Sequence, residues 1–155
     1  MPAASMPMQV IPSVDLTRYA GKWYEIARLP NWFQRNCASG TTASYTLRPD
    51  GTVTVVNECR KADGKQISVT GRARVADKSG SNSKLKVTFF WPFSGNYWII
   101  DLDPDYRWAV VGEPGRDYLW ILSREPVLGP AVLDEVVSRA KQQGYDVSRL
   151  IKTAH

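Results

Sequence analysis

Histidine is almost missing from this chain of 155 residues: its one copy, His155, stands at the end of the sequence. Cysteine occurs twice, as Cys37 and Cys59. No Cys/His cluster has the spacing of a zinc site, and no internal imidazole is at hand for acid–base work near neutral pH. An apolar run of about 18 residues is also lacking, so no helix of membrane-spanning length is encoded. The first residues carry Pro2, Pro7 and Pro12 but no basic stretch, which excludes a signal-peptide or helical reading there. Residues 1–13 are expected to be a flexible lead-in, followed by one domain over residues 14–155. Repeats and low-complexity segments are absent. The charge balance, 20 Lys and Arg against 15 Asp and Glu, gives a net charge of +5. The densest basic group (Arg72, Arg74, Lys78, Lys84, Lys86) alternates with other residue types and reads as a solvated sheet face. Along Lys84-Leu85-Lys86-Val87 basic and apolar residues take opposite faces, which argues against nucleic acid as a partner. An anionic membrane surface or an anionic ligand head group is compatible with the charge.

What the chain has in quantity is short, turn-separated alternation. Ile67, Val69, Gly71, Ala73 and Val75 alternate with polar residues, and Leu85, Val87 and Phe89 do the same. Pro49-Asp50-Gly51 is a hairpin turn, since Pro presets φ and Gly supplies φ > 0. Strands are predicted over 24–29, 42–48, 52–57, 67–75, 84–89, 97–102, 107–112 and 118–124. The run at 91–95 is read as a break. One helix follows: Gly129-Pro130 marks its start, Leu133, Val136, Val137 and Ala140 form a single apolar stripe, and Gly144 suits its end. The predicted fold is all-β, an eight-stranded antiparallel up-and-down β-barrel with one C-terminal α-helix packed outside. Closure removes sheet edges, and eight strands can surround one small ligand.

Gly21 and Trp23 open the strand run and Arg124 closes it. Trp23 can plug one end, with the Arg124 guanidinium laid over its indole and donating to carbonyls of residues 15–19. In a meander, loop 30–41, the turn at 60–64, loop 91–95 and the turn at 113–117 share the other end. Trp32, Phe33, Trp91 and Phe93 then crowd that rim, as a ligand mouth or contact surface, or folded inward as a plug.

Three stretches in order resemble the lipocalin family: Gly21-Lys22-Trp23-Tyr24, Asp103-Pro104-Asp105-Tyr106, and Leu119 to Pro126. The resemblance runs from about Val14 to Ile151. Within the family the chain is similar to bacterial outer-membrane lipocalins and to apolipoprotein D, through Trp23 to Pro30, Tyr45-x-Leu47 and Tyr118 to Pro126. This implies an internal site for a small hydrophobic ligand, fatty acid or lysophospholipid, and service in the cell envelope, at the periplasm or outer membrane. The bacterial proteins are typically anchored through an N-terminal Cys; no Cys precedes Cys37 here.

The resemblance implies that Trp120 lines the pocket and that Tyr45 and Asn57 are pocket positions. Alternation adds Tyr118, Val69, Val87, Phe89, Tyr97 and Ile99, each of which could equally be ordinary barrel filling. Glu25 has inward parity and needs a partner, for which Arg124 is a candidate. The turn at 49–51 pairs positions summing to about 100, so Cys37 and Cys59 fall close together, as a disulfide or as two buried thiols. Neither a metal nor a cofactor is expected. An enzyme would need a base that the sequence does not offer its hydroxyls and thiols. A tetrapyrrole or other pigment in the barrel is a further alternative. The chain is read as a monomer or weak homodimer through the aromatic rim.

Overall fold

The computed structural model describes residues 7–31, 34–76, 80–90 and 93–155, and only the backbone at positions 89, 90, 93 and 94. A short helix, α1 (Leu16–Tyr19), precedes eight strands: β1 (Gly21–Arg28), β2 (Ser39–Leu47), β3 (Val53–Arg60), β4 (Gln66–Val75), β5 (Lys84–Phe90), β6 (Phe93–Leu102), β7 (Trp108–Gly112) and β8 (Leu119–Ser123). Helix α2 (Pro130–Gln142), a 3₁₀ turn at Val147–Arg149 and a two-residue strand β9 (Ile151–Lys152) complete the chain. Each strand from β2 to β7 pairs with the next; β8 pairs with β1, and β1 pairs back to β2. The eight-stranded antiparallel barrel is closed.

Closure is shared along β1. Gly21 to Tyr24 lie against β2, while Ala27 and Arg28 lie against β9. The C-terminal segment thus enters between β1 and β2, with Thr153 N donating to Ile26 O and Gly40 N to Ala154 O. Three local features differ from the sequence expectation. β9 is too short to carry a periodic signal. α1 is held by one side chain, Asp15, which accepts from Thr17 N and Arg18 N. The break expected at 91–95 is tighter, because β6 already pairs with β5 at Phe93 opposite Phe90.

Two apolar cores follow from alternation on a closed sheet. Trp23, Tyr45, Val55, Val87, Ile99, Val111 and Leu122 are buried inside the barrel. Ala27, Leu29, Val110, Leu119 and Ile121 face outward and are covered by Val136 and Ala140 of α2. Among residues 7–13, Ile11 N donates to Ile99 O, and Gln9 exchanges hydrogen bonds with the Gln143 side chain.

Trp23 seals one end. Its Nε1 donates to Tyr19 O at 2.8 Å, and the Arg124 guanidinium lies 3.8 Å over its ring. Arg124 also donates to the carbonyls of Arg18 (2.6 Å), Tyr19 (3.2 Å), Lys22 (3.1 Å) and Tyr106 (3.2 Å). Gly21 is required here twice: its φ is +103°, and a Cβ would stand 3.2 Å from Arg124 Nη1. At the other end Cys37 and Cys59 form a disulfide with a sequence separation of 22, tying the 30–38 loop to β3.

Two stability outcomes are expected. Arg124→Lys keeps the charge but loses the planar fork that reaches four carbonyls, and should cost about 1–3 kcal/mol in chemical denaturation. A change within about 0.5 kcal/mol would mean that the fork adds nothing beyond a surface charge. Replacing both cysteines by serine releases the closed loop and should cost about 3 kcal/mol; an unchanged urea midpoint would contradict this.

Candidate ligand site in the barrel lumen

The lumen divides at a layer of tyrosines. Tyr19 from α1, Tyr45 from β2 and Tyr97 from β6 form a chain of phenols: the Tyr19 and Tyr97 hydroxyls are 2.7 Å apart, and Tyr97 donates to Tyr45 at 2.7 Å. Burial pushes all three phenols above their ordinary range, so they stay neutral. Below and around them the barrel is filled. The void among Tyr19, Tyr45, Val55, Val87, Tyr97 and Ile99 is about 20 Å³, room for a single water.

Toward the other end the inner face opens. Val69 lies opposite Asn57, and Asn57 opposite Ala43, so Val69 shares the inward face of the buried Ala43. Yet Val69 is 45% exposed, and Ile67, on the same face opposite Cys59, is 38% exposed. These are the walls of an open mouth. Across the lumen Tyr118 stacks on Trp120, with centroids 5.9 Å apart and planes 4° from parallel.

A β-bulge between Glu25 and Ala27 changes which side chains β1 sends inward. Before it, Trp23 and Glu25 face the lumen, Glu25 opposite Leu122. After it, Ala27 and Leu29 face α2, and Arg28 faces inward opposite Trp120. Two charged side chains therefore enter the lumen wall side by side, Glu25 at 2% and Arg28 at 9% exposure.

Glu25 is well provided for. Its Oε1 accepts from Gln34 Nε2 at 2.9 Å and its Oε2 from Thr153 Oγ1 at 2.5 Å. Gln34, from the 30–38 loop, also accepts from Trp120 Nε1 at 2.8 Å. His155 Nε2 lies 2.6 Å from the Glu25 carbonyl oxygen, its ring edge-on to Tyr24. One carboxylate thus joins the mouth loop and the C-terminal segment, and through Gln34 the β8 tryptophan. Burial raises the Glu25 carboxyl above its ordinary value; the hydrogen bonds from Thr153 and Gln34 and the charges of Arg28 and His155 oppose the rise without cancelling it.

Of the residues singled out in the sequence, the structure brings Tyr45, Val87, Tyr97 and Ile99 together in the filled half, and places Asn57, Val69, Tyr118 and Trp120 toward the mouth. Trp32, Phe33 and Trp91 lie outside the described residues, as do the side chains of Phe89 and Phe93. The expected pairing of Glu25 with Arg124 does not form. Arg124 is committed to carbonyls at the sealed end, and Glu25 is met by Gln34, Thr153 and Arg28. Sequence reasoning missed Arg28, since simple alternation from Trp23 sends it outward. It also missed Tyr19, which precedes the sheet, and Thr153, which reaches the site only through β9.

Among the described residues no group of three or more His, Cys, Asp or Glu could hold a metal ion. The lipocalin-like domain family model matches residues 14–155. Temperature-induced lipocalin-1 of Arabidopsis thaliana is 42% identical over 153 residues, covering 94% of this chain and 82% of that protein. The outer membrane lipoprotein Blc of Escherichia coli (strain K12) is 41% identical over 151 residues, covering 97% of this chain and 84% of that one. Among solved structures, insecticyanin of the tobacco hornworm Manduca sexta superposes with a TM-score of 0.75 at 24% identity, covering 97% of this chain and 85% of that one. This last likeness concerns the fold alone.

The Glu25 carboxyl yields a pH prediction. Folding raises its pKa, so the stability it contributes is fully present below the ordinary value of 4.5 and is lost as pH rises through the folded value. Glu25→Gln removes that loss. Thermal unfolding should show the variant gaining on the parent as pH rises from 4 toward 8. A difference in Tm that stays constant over that range would contradict the burial of an ionisable carboxyl.

Proposed function

The chain belongs to the lipocalin-like family, and from that premise we propose that it binds and carries a long-chain amphiphile, fatty acid or lysophospholipid, without catalysing its conversion. The observation that carries this reading is the asymmetry of the barrel. One end is sealed by Trp23 and Arg124, and at the other the apolar inner face reaches solvent at Ile67 and Val69. An apolar inner wall that opens at one end only suits a molecule with an apolar tail and a polar head. Transfer at about 0.8 kcal/mol per methylene means that burying about ten methylenes supports a Kd near micromolar.

The cell envelope is the proposed place of action. Support comes from the Escherichia coli relative, an outer membrane lipoprotein, and from the disulfide, which forms and persists in oxidising compartments. Contact with a membrane surface at the mouth accords with the +5 charge.

Intrinsic tryptophan fluorescence, followed during titration with oleate or lysophosphatidylcholine below their micelle concentrations, checks the reading. A saturable change near the micromolar range, diminished in Trp120→Phe, is expected. No saturable change with either ligand would overturn it.

A further inference from the structure

We infer that the Arg28 guanidinium is the receptor for the anionic head group of the ligand, so that the barrel selects acyl chains ending in a carboxylate or phosphate over neutral ones. The inference rests on the lumen-binding reading above and adds to it the chemistry of the head group.

Arg28 is a largely enclosed cation whose guanidinium still reaches solvent at the mouth, its side chain 11% exposed. The bulge turns it into the lumen beside Trp120, where it is 9% exposed. A guanidinium carries five N–H donors and always bears its charge. Among the described residues, the one charged or hydrogen-bonding group within reach is Glu25, with Nε to Oε2 at 3.5 Å. That separation is long for a charge-assisted hydrogen bond. Glu25 is shared, accepting one hydrogen bond on each oxygen from Gln34 and Thr153 besides its ion pair with Arg28. Arg124 shows the contrast: its donors meet four carbonyls and its face an indole. Donors of Arg28 that reach solvent at the mouth are open to a ligand without displacing a protein hydrogen bond.

The place suits a head group. Arg28 is the last residue of β1, next to the loop that carries Gln34, on the mouth side of the tyrosine layer. A carboxylate or phosphate arriving through the mouth can accept two parallel N–H bonds from it. The other cations near the barrel wall do not compete. Arg72 and Arg74 of β4 and Lys84 and Lys86 of β5 sit on the face opposite the inward Ala73, Leu85 and Val87. Glu25 then has a second consequence: its charge next to Arg28 opposes a bound anion and moderates its affinity.

Competition of oleate, oleoyl lysophosphatidate, oleyl alcohol and monoolein against one fluorescent probe ligand at pH 8 tests this, with acetate and inorganic phosphate as head-group-only controls. The parent protein should bind the two anionic lipids roughly tenfold or more tighter than the neutral ones. Comparing oleate with the lysophosphatidate shows which oxyanion fits better, and acetate and phosphate should not compete without a chain. Arg28→Gln should remove the preference by weakening the anionic lipids alone. Glu25→Gln should act in the opposite direction, tightening the anionic lipids alone, and it keeps the test decisive if the Arg28 variant folds poorly. Equal binding of charged and neutral lipids by the parent overturns the head-group assignment and leaves the lumen-binding reading standing. An equal loss for all four lipids in Arg28→Gln, in a variant that remains folded, overturns it too by making Arg28 structural. If the parent binds none of them, both readings fall.

Discussion

The stacking of Arg124 on Trp23 is the contact on which the rest of the molecule depends. It joins the last strand of the meander to the first, and it brings α1 with it through the carbonyls of Arg18 and Tyr19. With that end sealed, β1 can pair with β8 on one side and with β2 on the other. The sheet then has an inside, and its inward residues form a lumen instead of one layer of a sandwich. Carbonyl acceptors at the sealed end require a fork of donors, which accounts for arginine here and for the bare Cα of Gly21 beneath it.

The mouth is organised by a local irregularity in the same strand. The bulge after Glu25 lets β1 send Trp23 and Glu25 inward, then Arg28 inward again, while Ala27 and Leu29 meet α2. It places a carboxylate and a guanidinium together in a wall that is otherwise largely apolar. The loop and the C-terminal segment converge on that carboxylate through Gln34 and Thr153. The disulfide pins the same loop to β3. Mouth geometry is thereby tied to barrel closure: β9 can enter because β1 leaves β2 after Tyr24.

Much of this was legible in the residues. Alternation from Ile67 to Val75 locates a half-buried strand, Pro49-Asp50-Gly51 sets the β2–β3 register, and that register places Cys37 near Cys59. The paired ends Trp23 and Arg124 are readable because an indole and a guanidinium at opposite ends of a meander have one economical arrangement. Arg28 was not readable, for a physical reason. A bulge changes parity without any residue type that announces it, and Glu25-Ile26-Ala27 carries neither Gly nor Pro. Tyr19 joins the phenol chain from a single helical turn outside the sheet, and Thr153 acts through a strand of two residues; neither has a period to detect. Glu25 was recognised as needing a partner, but the nearest cation by fold turned out to be its neighbour across the bulge and not the arginine at the sealed end.

The central claim is that the amphiphile lies inside the barrel, head near the mouth and chain toward the tyrosine layer. The most direct measurement is a crystal structure of the protein with a fatty acid brominated at its methyl end, the bromine located by anomalous scattering. The account predicts a bromine peak within the lumen on the mouth side of the tyrosine layer, with the carboxylate within hydrogen-bonding distance of Arg28. A bromine peak on the outer surface of the sheet or against α2, with the lumen empty of lipid density, would contradict it.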